Sequence, residues 1–261
     1  MSLWRRERLR VILTPEHTLV LRPVGARAIS AATQPRQILD ALDTLPAHRA
    51  LAECLTSPPW RGCDVDLVLS NRWVCYALSE APGALLRPSE EQALAQAQIC
   101  AVYGGQAQDW RISVQSQPPD AGVFAAAVSS RRIQDVQSVL EQAGVARYTL
   151  RPLLSVAVRT LRKSLHTGWW VVVEPGWWCL LKAERGTWRH ISCQPCDEDW
   201  AEHLATHLER TQRLVGNSPA SAVVWVQPIG CGAPQPMVYP PGWTGQLVLP
   251  SGQPQWNWER I

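Results

Sequence analysis

No stretch of this 261-residue sequence approaches the roughly 18 consecutive apolar residues that a membrane-spanning helix requires. The basic N-terminal run Arg5–Arg10 is not followed by the uninterrupted hydrophobic core of a signal peptide. The sequence therefore predicts a soluble protein without a membrane span, which stays in the cytoplasm where it is made.

The sequence also lacks a concentrated basic stripe. Its formal net charge is +3, and its one dense basic run, Arg5–Arg10, contains a glutamate. Proteins that bind nucleic acids by charge usually cluster lysine and arginine on one face. We therefore expect no nucleic-acid partner and interpret this run as a solvated N-terminal arm. With 46% apolar and 18% charged residues, the chain as a whole is typical of a globular protein with a substantial core.

The eight cysteines do not form the dense framework of a small secreted domain. They are scattered between Cys54 and Cys231, and several occupy apolar positions of predicted strands. We interpret most of them as reduced core residues of a cytosolic protein.

Catalytic signatures are missing as well. The sequence contains neither a GxxxxGK[ST] phosphate loop nor a GxSxG nucleophile elbow. No spacing of serine, histidine and acid singles out a nucleophile. We therefore predict no catalytic residue, no cofactor site and no resident metal.

The segment Cys63–Ser79 is the centre of the predicted organisation. Apolar residues alternate through its first half, Asn71 and Arg72 interrupt, and a second apolar run follows, which predicts two short strands joined by a polar elbow. A helix is predicted over Pro88–Tyr103, with Ser89 as its N-cap and two glutamates in its first turn.

Hydrophobic periodicity and turn residues predict the remaining elements. In the first part they are strands Leu9–Leu13, Thr18–Pro23 and Arg27–Ala32, a helix from Pro35 to Leu55 broken near Pro46, strands Trp110–Gln115 and Val123–Val128, a helix from Ser130 to Gly144, strand Tyr148–Leu150 and helix Leu153–Leu165. In the second part they are strands Trp169–Val173, Trp177–Lys182 and Trp188–Cys193, helix Glu198–Val215, and strands Ala222–Gln227 and Gln246–Pro250. This order predicts a first lobe at 1–167 with an inserted α/β subdomain and a second, smaller lobe at 168–261.

Both predicted lobes begin with antiparallel strands and continue into helices and further strands. With its segments VDLVLSNRWVCYAL, LLRPSEEQALAQA, FAAAVSSRRIQDVQSVLEQAGV, YTLRPLLSVAVRTL and GWWVVVEPGWWCLLKAERGTWRHI, the chain resembles the actin-like proteins of bacterial envelope machines. These are the type IV pilus assembly protein PilM and the cytoplasmic domain of the type II secretion protein L (GspL). The resemblance covers about residues 8 to 227. It implies an α/β protein with the actin-like ATPase fold and two ribonuclease-H-like lobes, the second reduced or rebuilt after Gln227.

Active members of this fold carry, in the opening hairpin of each lobe, an aspartate followed two residues later by glycine. Here the first hairpin, Leu13–Thr18, has no glycine, and its Pro15 removes an amide donor. The second hairpin, Glu174-Pro175-Gly176, keeps an acid and a glycine but places proline between them. The resemblance therefore implies a pseudo-ATPase. The alternative, a divergent nucleotide-binding ATPase, requires Glu174 and Asp66 to converge on a metal ion and phosphate.

A second alternative is a zinc-dependent binding module. Cys193 and Cys196 are spaced as a pair of thiolate ligands, His203 and His207 share a helix face, and His190 lies just upstream. The gap of six residues between the two pairs is shorter than in familiar zinc fingers. The apolar positions of the helix already account for its formation.

Tryptophan is over-represented, with fourteen residues against a single phenylalanine. Trp169, Trp170, Trp177 and Trp178 lie on the two strands of one predicted hairpin, so alternation directs one residue of each pair inward and the other outward. Core packing accounts for the inward pair. An outward pair would form a rigid amphipathic surface of the kind that anchors partners.

The resemblance implies a non-enzymatic assembly-platform (scaffold) subunit of a type IV pilus or type II secretion-like machine. Such a subunit captures the short cytoplasmic segment of a bitopic inner-membrane partner, similar to PilN, and another face meets the cytoplasmic motor ATPase or its platform. It is then peripheral to the inner membrane through its partners. The sequence leaves both a monomer and a homodimer open.

Overall fold

A computed structural model of the chain describes residues 8–15, 17–21, 38–40, 51–56, 62–161, 167–216, 222–229 and 237–248. The described residues fall into two compact units. The first takes its residues from Met1–Val74 and Val128–Val156, and the second from Cys75–Ala127 and Ala157–Arg260. The domain boundary predicted after residue 167 stays a prediction.

The strands, in chain order, are β1 Arg8–Leu13, β2 His17–Leu21, β3 Ile38–Asp40, β4 Asp64–Leu69, β5 Cys75–Leu78, β6 Arg111–Gln115, β7 Phe124–Val128, β8 Tyr148–Pro152, β9 Gly168–Glu174, β10 Trp177–Glu184, β11 Thr187–Pro195, β12 Val223–Pro228 and β13 Thr244–Leu247. The α-helices are α1 at 51–56, α2 Pro88–Tyr103, α3 Ser130–Gln142, α4 Leu153–Leu161 and α5 Trp200–Val215. Short 3-10 helices occupy Asn71–Trp73 and Gly105–Asp109. None of the described helices is both long enough and apolar enough to cross a membrane.

The first unit contains a five-stranded sheet in the order β3-β2-β1-β4-β8. Strands β1, β2 and β3 pair antiparallel, whereas β4 pairs parallel with both β1 and β8. The central strand β4 is apolar at four of its six positions and is buried along nearly its whole length, as expected for a parallel strand in the middle of a sheet.

The second unit contains a five-stranded sheet in the order β11-β10-β9-β12-β13. Strands β9, β10 and β11 pair antiparallel, whereas β12 pairs parallel with both β9 and β13. Helix α5 packs its apolar stripe, including Leu204 and Leu208, onto one face of this sheet against Trp169, Val171 and Trp178.

The two sheets repeat one topology strand for strand. Each places an antiparallel hairpin next to two parallel strands, and each closes β1–β4 or β9–β12 with an equivalent backbone bond. Ser70 N donates to Leu13 O at 2.8 Å, and Ile229 N donates to Val173 O at 2.7 Å. The second sheet therefore has all five strands and, contrary to the expectation, is not reduced. What differs is the connection before the last strand, which spans 70–147 in the first case and 229–243 in the second.

A three-stranded sheet in the order β5-β7-β6, in which β5 and β7 pair antiparallel, also belongs to the second unit. Helix α2 packs on it through Ala95 and Ile99. The small side chains of β7, an alanine run, let the helix approach the sheet closely.

Most predicted elements are confirmed, including the two strands of Cys63–Ser79, the Asn71–Trp73 elbow and the bounds of α2. The helix predicted from Pro35 is wrong at its start, because Ile38–Asp40 pairs with the open side of β2 as strand β3. Its end is confirmed by α1. The strand predicted at Arg27–Ala32 lies outside the described residues.

The predicted cap of α2 is also wrong. The helix begins at Pro88, and the residue that caps it is Arg87 rather than Ser89. The carboxylate of Glu90 accepts a hydrogen bond from the Arg87 amide at 2.7 Å, which satisfies a donor that the first helical turn leaves free.

Candidate functional site

The turn between β1 and β2 is poor in phosphate-binding groups. The last residue pair of this hairpin is Leu13 with Thr18. Thr14 follows β1 and is buried, and Pro15 brings no amide hydrogen into the turn. Glu16 lies outside the described residues.

The equivalent turn of the second sheet joins β9 to β10 through Pro175 and Gly176. Glu174 and Trp177 form the closing residue pair, and Gly176 has a φ of 70°, which only glycine adopts without strain. The Gly176 carbonyl accepts a hydrogen bond from Cys196 N at 3.1 Å, which ties the turn to the end of β11. Pro175 thus offers this turn no amide hydrogen, and the Gly176 carbonyl is already hydrogen-bonded to the end of β11.

Asp66, one of the two acids that a divergent ATPase would need, is fully engaged in the first unit. Its carboxylate accepts hydrogen bonds from Thr149 Oγ1 at 2.7 Å, Arg151 Nε at 3.0 Å and Arg10 Nε at 2.9 Å, and Arg151 Nη2 contacts it as well. Burial alone would raise the pKa of Asp66, but these hydrogen bonds and the guanidinium charges outweigh it and lower the pKa. A metal ion would have to displace two arginines.

The second acid, Glu174, is 3% exposed at the end of β9. Asp66 and Glu174 belong to different units. Within the described parts of the chain, no group of three or more histidine, cysteine, aspartate or glutamate side chains could hold a metal ion.

The five residues of the zinc hypothesis have separate partners. Cys193 Sγ lies 2.6 Å from Cys179 Sγ, and His207 Nδ1 lies 3.0 Å from Gln194 Nε2. His203 Nε2 lies 3.2 Å from an Asp199 carboxylate oxygen.

His190 packs edge-on against the Trp169 ring, with 6.0 Å between ring centroids. Burial lowers its pKa to about 4, with a smaller contribution from nearby Lys182. Cys196 packs against the α5 core. The structure therefore does not assemble these side chains into a zinc site.

The tryptophan hairpin alternates as predicted, but its outward-directed residues are not exposed. Trp169 and Trp178 pack under α5, whereas Trp170 lies on the opposite face and stacks on Trp225 at a centroid distance of 4.3 Å. All three are at most 2% exposed, and Trp177 is half-buried. The expectation of an exposed outward pair is wrong, because both faces of this sheet are covered. A partner contact at Trp177 stays a prediction.

A groove of about 670 Å³ lies elsewhere in the second unit, where β5 of the three-stranded sheet runs beside β11 of the five-stranded sheet. Ser79 N donates to Val123 O at 3.0 Å, so alternation turns the backbone polar groups of Tyr76 and Leu78 away from β7. In the same way the bond from Cys196 N to Gly176 O turns those of Ile191 and Cys193 away from β10. Two strand edges therefore line the groove.

One end of the β11 edge is closed by a side chain. Gln117 Oε1 accepts from Trp188 N at 2.7 Å, and Gln117 Nε2 donates to Trp188 O at 3.3 Å, as a neighbouring strand would. Arg189 holds the same loop through Asp120 Oδ2 at 2.8 Å. On the β5 side, Tyr103 of α2 donates its hydroxyl to Tyr76 O at 3.0 Å. These contacts hold side chains of α2 and of the loop between β6 and β7 against the two strand edges.

The outer wall of the groove is helix α2, whose exposed side carries no charge beyond its first turn. No charged residue occurs between Gln92 and Gln108. Val102 is 55% exposed at the groove, and Leu85 is exposed just before the helix. Glu80 lines the groove and is itself exposed. This combination of strand edges, apolar groups and a carboxylate suits an extended peptide.

Sequence reasoning missed the groove because β5 and β11 are more than a hundred residues apart. One signal was nevertheless present. All residues of the predicted helix from Gln92 to its end at Tyr103 are uncharged, which is unusual for an ordinary solvated helix face.

No protein-family model matches the chain, and neither does any curated protein. Several solved structures are similar to the chain. The cytoplasmic domain of EpsL, an inner-membrane component of the type II secretion system of Vibrio cholerae, is 14% identical with a TM-score of 0.56, covering 95% of this chain and 90% of that one. The PilM-PilN type IV pilus biogenesis complex is 15% identical with a TM-score of 0.58, covering 86% and 82%. A Bacteroides thetaiotaomicron protein of unknown function with an actin-like ATPase fold is 11% identical with a TM-score of 0.54, covering 88% and 84%.

The chain has the actin-like ATPase fold. The predicted fold and the predicted structural resemblance are confirmed. The two five-stranded sheets of equal order are the duplicated sheets of this fold, and the β5-β7-β6 sheet with α2 is inserted between β4 and β8 along the chain.

Proposed function

We propose that the protein is a non-enzymatic scaffold subunit of a type IV pilus or type II secretion-like machine, which binds the cytoplasmic segment of a bitopic inner-membrane protein similar to PilN. The observation that carries the proposal is the likeness to the PilM-PilN structure over most of both chains. The likeness to the EpsL cytoplasmic domain supports the same class of machine.

The groove between β5 and β11 is the place where we expect the partner segment. An extended peptide there would bond to outward backbone groups of one strand edge, and its apolar side chains would contact Val102 and Leu78. Cytoplasmic segments next to a membrane span are enriched in lysine and arginine. Glu80 offers such a segment a complementary charge at the groove.

Binding is tested with a synthetic peptide that comprises the cytoplasmic segment of a PilN-like bitopic membrane protein from a type IV pilus system. Val102→Arg, which places charge and bulk in the groove, should weaken binding by at least tenfold in fluorescence anisotropy. Leu214→Arg is the matched control, because Leu214 is an exposed aliphatic residue on α5, outside the residues that line the groove. Glu80→Lys should weaken binding several-fold and reduce its salt dependence.

Equal loss in both arginine variants, or no loss in either, would place the partner elsewhere on the protein. No binding by the wild-type protein would count against the proposed partner class. Contacts with a motor ATPase and a homodimer stay predictions.

We also propose that the chain does not hydrolyse ATP. The support is the proline in both opening turns and the engagement of Asp66 by two arginines. Thermal unfolding is measured with and without millimolar Mg-ATP. A ligand at a hundred times its dissociation constant adds about 2.7 kcal/mol of stability, so binding would visibly raise the midpoint. We expect no rise, and a clear one would favour the divergent ATPase.

A further inference from the structure

Two cysteines stand directly opposite each other on neighbouring strands of the second unit. Cys179 of β10 and Cys193 of β11 are register partners, and their Sγ atoms are 2.6 Å apart. Two sulfur atoms at this separation are closer than non-bonded neighbours normally approach, and a disulfide bond is about 2.05 Å long. The pair therefore needs almost no movement to become covalent.

The strand geometry favours a bond at this position. Because Cys196 N donates to Gly176 O, alternation makes Trp178 with Gln194 a hydrogen-bonded pair and Cys179 with Cys193 a non-hydrogen-bonded pair. Opposed Cα atoms of such pairs are about 4.5 Å apart, which lies within the range of about 4.4–6.8 Å that disulfides require.

The two thiols differ in access. Cys179 is completely buried, and burial raises the pKa of its thiol well above the ordinary value. Cys193 is half-buried and lines the groove between β5 and β11. A small reagent can therefore reach Cys193 from the groove, while Cys179 stands behind it as the resolving thiol.

We propose that Cys179 and Cys193 are a redox modification site, converted to a reversible cross-strand disulfide by exchange with a low-molecular-weight disulfide. The Cys193 sulfur attacks one sulfur of the reagent and forms a mixed disulfide, and the first thiol leaves with the proton that Cys193 loses. The Cys179 sulfur then attacks Cys193 Sγ and expels the second thiol, which takes the Cys179 proton. Two cysteine thiols are oxidised, and one disulfide is reduced to two thiols.

A neighbouring cysteine provides an internal competitor. Cys193 is close enough to Cys75 of β5 to act on it electrostatically, and burial, followed by smaller contributions, raises the pKa of Cys75 to about 11. Cys75 belongs to a different sheet from Cys193, whereas Cys179 is its register partner. The proposal therefore assigns the bond to Cys179 rather than Cys75, and it does not depend on the proposed scaffold function.

The test treats the folded full-length protein with oxidised glutathione, blocks the remaining thiols with iodoacetamide and maps the linked peptides by mass spectrometry. The wild-type protein should fall from eight reactive thiols, counted after denaturation, to six. Neither Cys193→Ser nor Cys179→Ser should form an intramolecular disulfide. Cys75→Ser, the matched control, should still lose two. Dithiothreitol should restore every thiol.

The expected product is a Cys179–Cys193 linked peptide, slower hydrogen exchange of β11 amides and a higher midpoint of thermal unfolding. A Cys75–Cys193 peptide, a mixed disulfide on Cys193 that never resolves, or no loss of thiols in the wild-type protein would overturn the proposal. Circular dichroism of each serine variant verifies that it is folded before oxidation.

Discussion

The same backbone position holds an ion cluster in the first sheet and an aromatic stack in the second. The equivalent bonds from Ser70 to Leu13 and from Ile229 to Val173 align the two sheets. Three residues before Leu13, Arg10 of β1 is the register partner of Asp66 in β4. Three residues before Val173, Trp170 of β9 is the register partner of Trp225 in β12.

In each sheet the register partner on the next strand, β8 or β13, adds a hydrogen bond to the cluster. Thr149 of β8 donates to Asp66 at 2.7 Å, and Trp225 donates its indole N–H to Gln246 of β13 at 3.1 Å. In both sheets this position is occupied by side chains that are hydrogen-bonded to the next strand, but one set is ionic and the other aromatic. A buried ion pair loses much of its Coulomb energy to desolvation, whereas stacked rings gain from burial. We therefore expect the second sheet to depend more strongly on its cluster than the first.

The largest effect is expected from Trp225→Ala. The change removes the ring that stacks on Trp170 and leaves a cavity on a buried sheet face, at a cost of about 3–5 kcal/mol in the free energy of unfolding. Urea unfolding followed by circular dichroism measures it. Trp225→Phe keeps a stacked ring and should lose clearly less. Equal losses for both variants would mean that the indole hydrogen bond, rather than the stack, stabilises the position.

The stack also explains a glycine that the first sheet does not need. Gly168 is equivalent to Arg8, and a Cβ at Gly168 would meet the Trp225 ring and lie 2.6 Å from Val223 O. Gly168→Ala should therefore cost up to about 3 kcal/mol through overpacking. Gly105→Ala is the matched control, because a Cβ there meets no atom within 4 Å. Combining Gly168→Ala with Trp225→Ala should recover part of the loss, and strict additivity would contradict the steric explanation.

Breaking the ion cluster should cost less. Asp66→Asn keeps the shape but removes the charge that two guanidinium groups face, and these groups are 26–30% exposed and can regain solvent. We expect a loss of about 2 kcal/mol at pH 7. Because the pKa of Asp66 is lowered in the folded protein, its contribution is present above its ordinary pKa and fades as the pH falls through the lowered value.

Asp120→Asn tests whether the burial of Asp66 determines how much its ion pairs contribute to the free energy of unfolding. Asp120 also pairs with an arginine, Arg189, but its side chain is 70% exposed. Its replacement should change the free energy of unfolding less than Asp66→Asn does. A larger loss at Asp120 would show that the exposed loop, rather than the buried cluster, is the more important ionic contact.

The sequence predicts this architecture well where the signal is local. Alternation identified β4, apolar runs separated by glycine turns identified β9 to β11, and helical spacing with flanking proline and glycine identified α2 within its observed bounds. It failed at Ile38–Asp40, where a short apolar run fits helix and strand equally and only pairing with β2 decides. It also failed for Trp170, whose burial depends on Trp225, more than fifty residues away. The groove could not be predicted, because its two walls meet only after folding.

The smallest effect expected is a pH dependence that separates the second unit from the first. His190 packs on Trp169 near Lys182, and its pKa is lowered from 6.5 to about 4 by burial and then by the lysine. The unfolded chain therefore binds a proton that the folded protein rejects, so stability is full above pH 6.5 and declines as the pH falls towards 4.

Allowing for partial exposure, we expect a loss of about 1 kcal/mol between pH 7.5 and 5, which urea unfolding at the two pH values measures. His190→Gln should reduce this decline, and His207, whose pKa is also lowered by burial, accounts for part of what remains. If His190→Gln kept the full decline, another group would be responsible. Because the Asp66 cluster weakens only at lower pH, a loss confined to this window assigns the first acid-sensitive contact to the sheet with the aromatic stack.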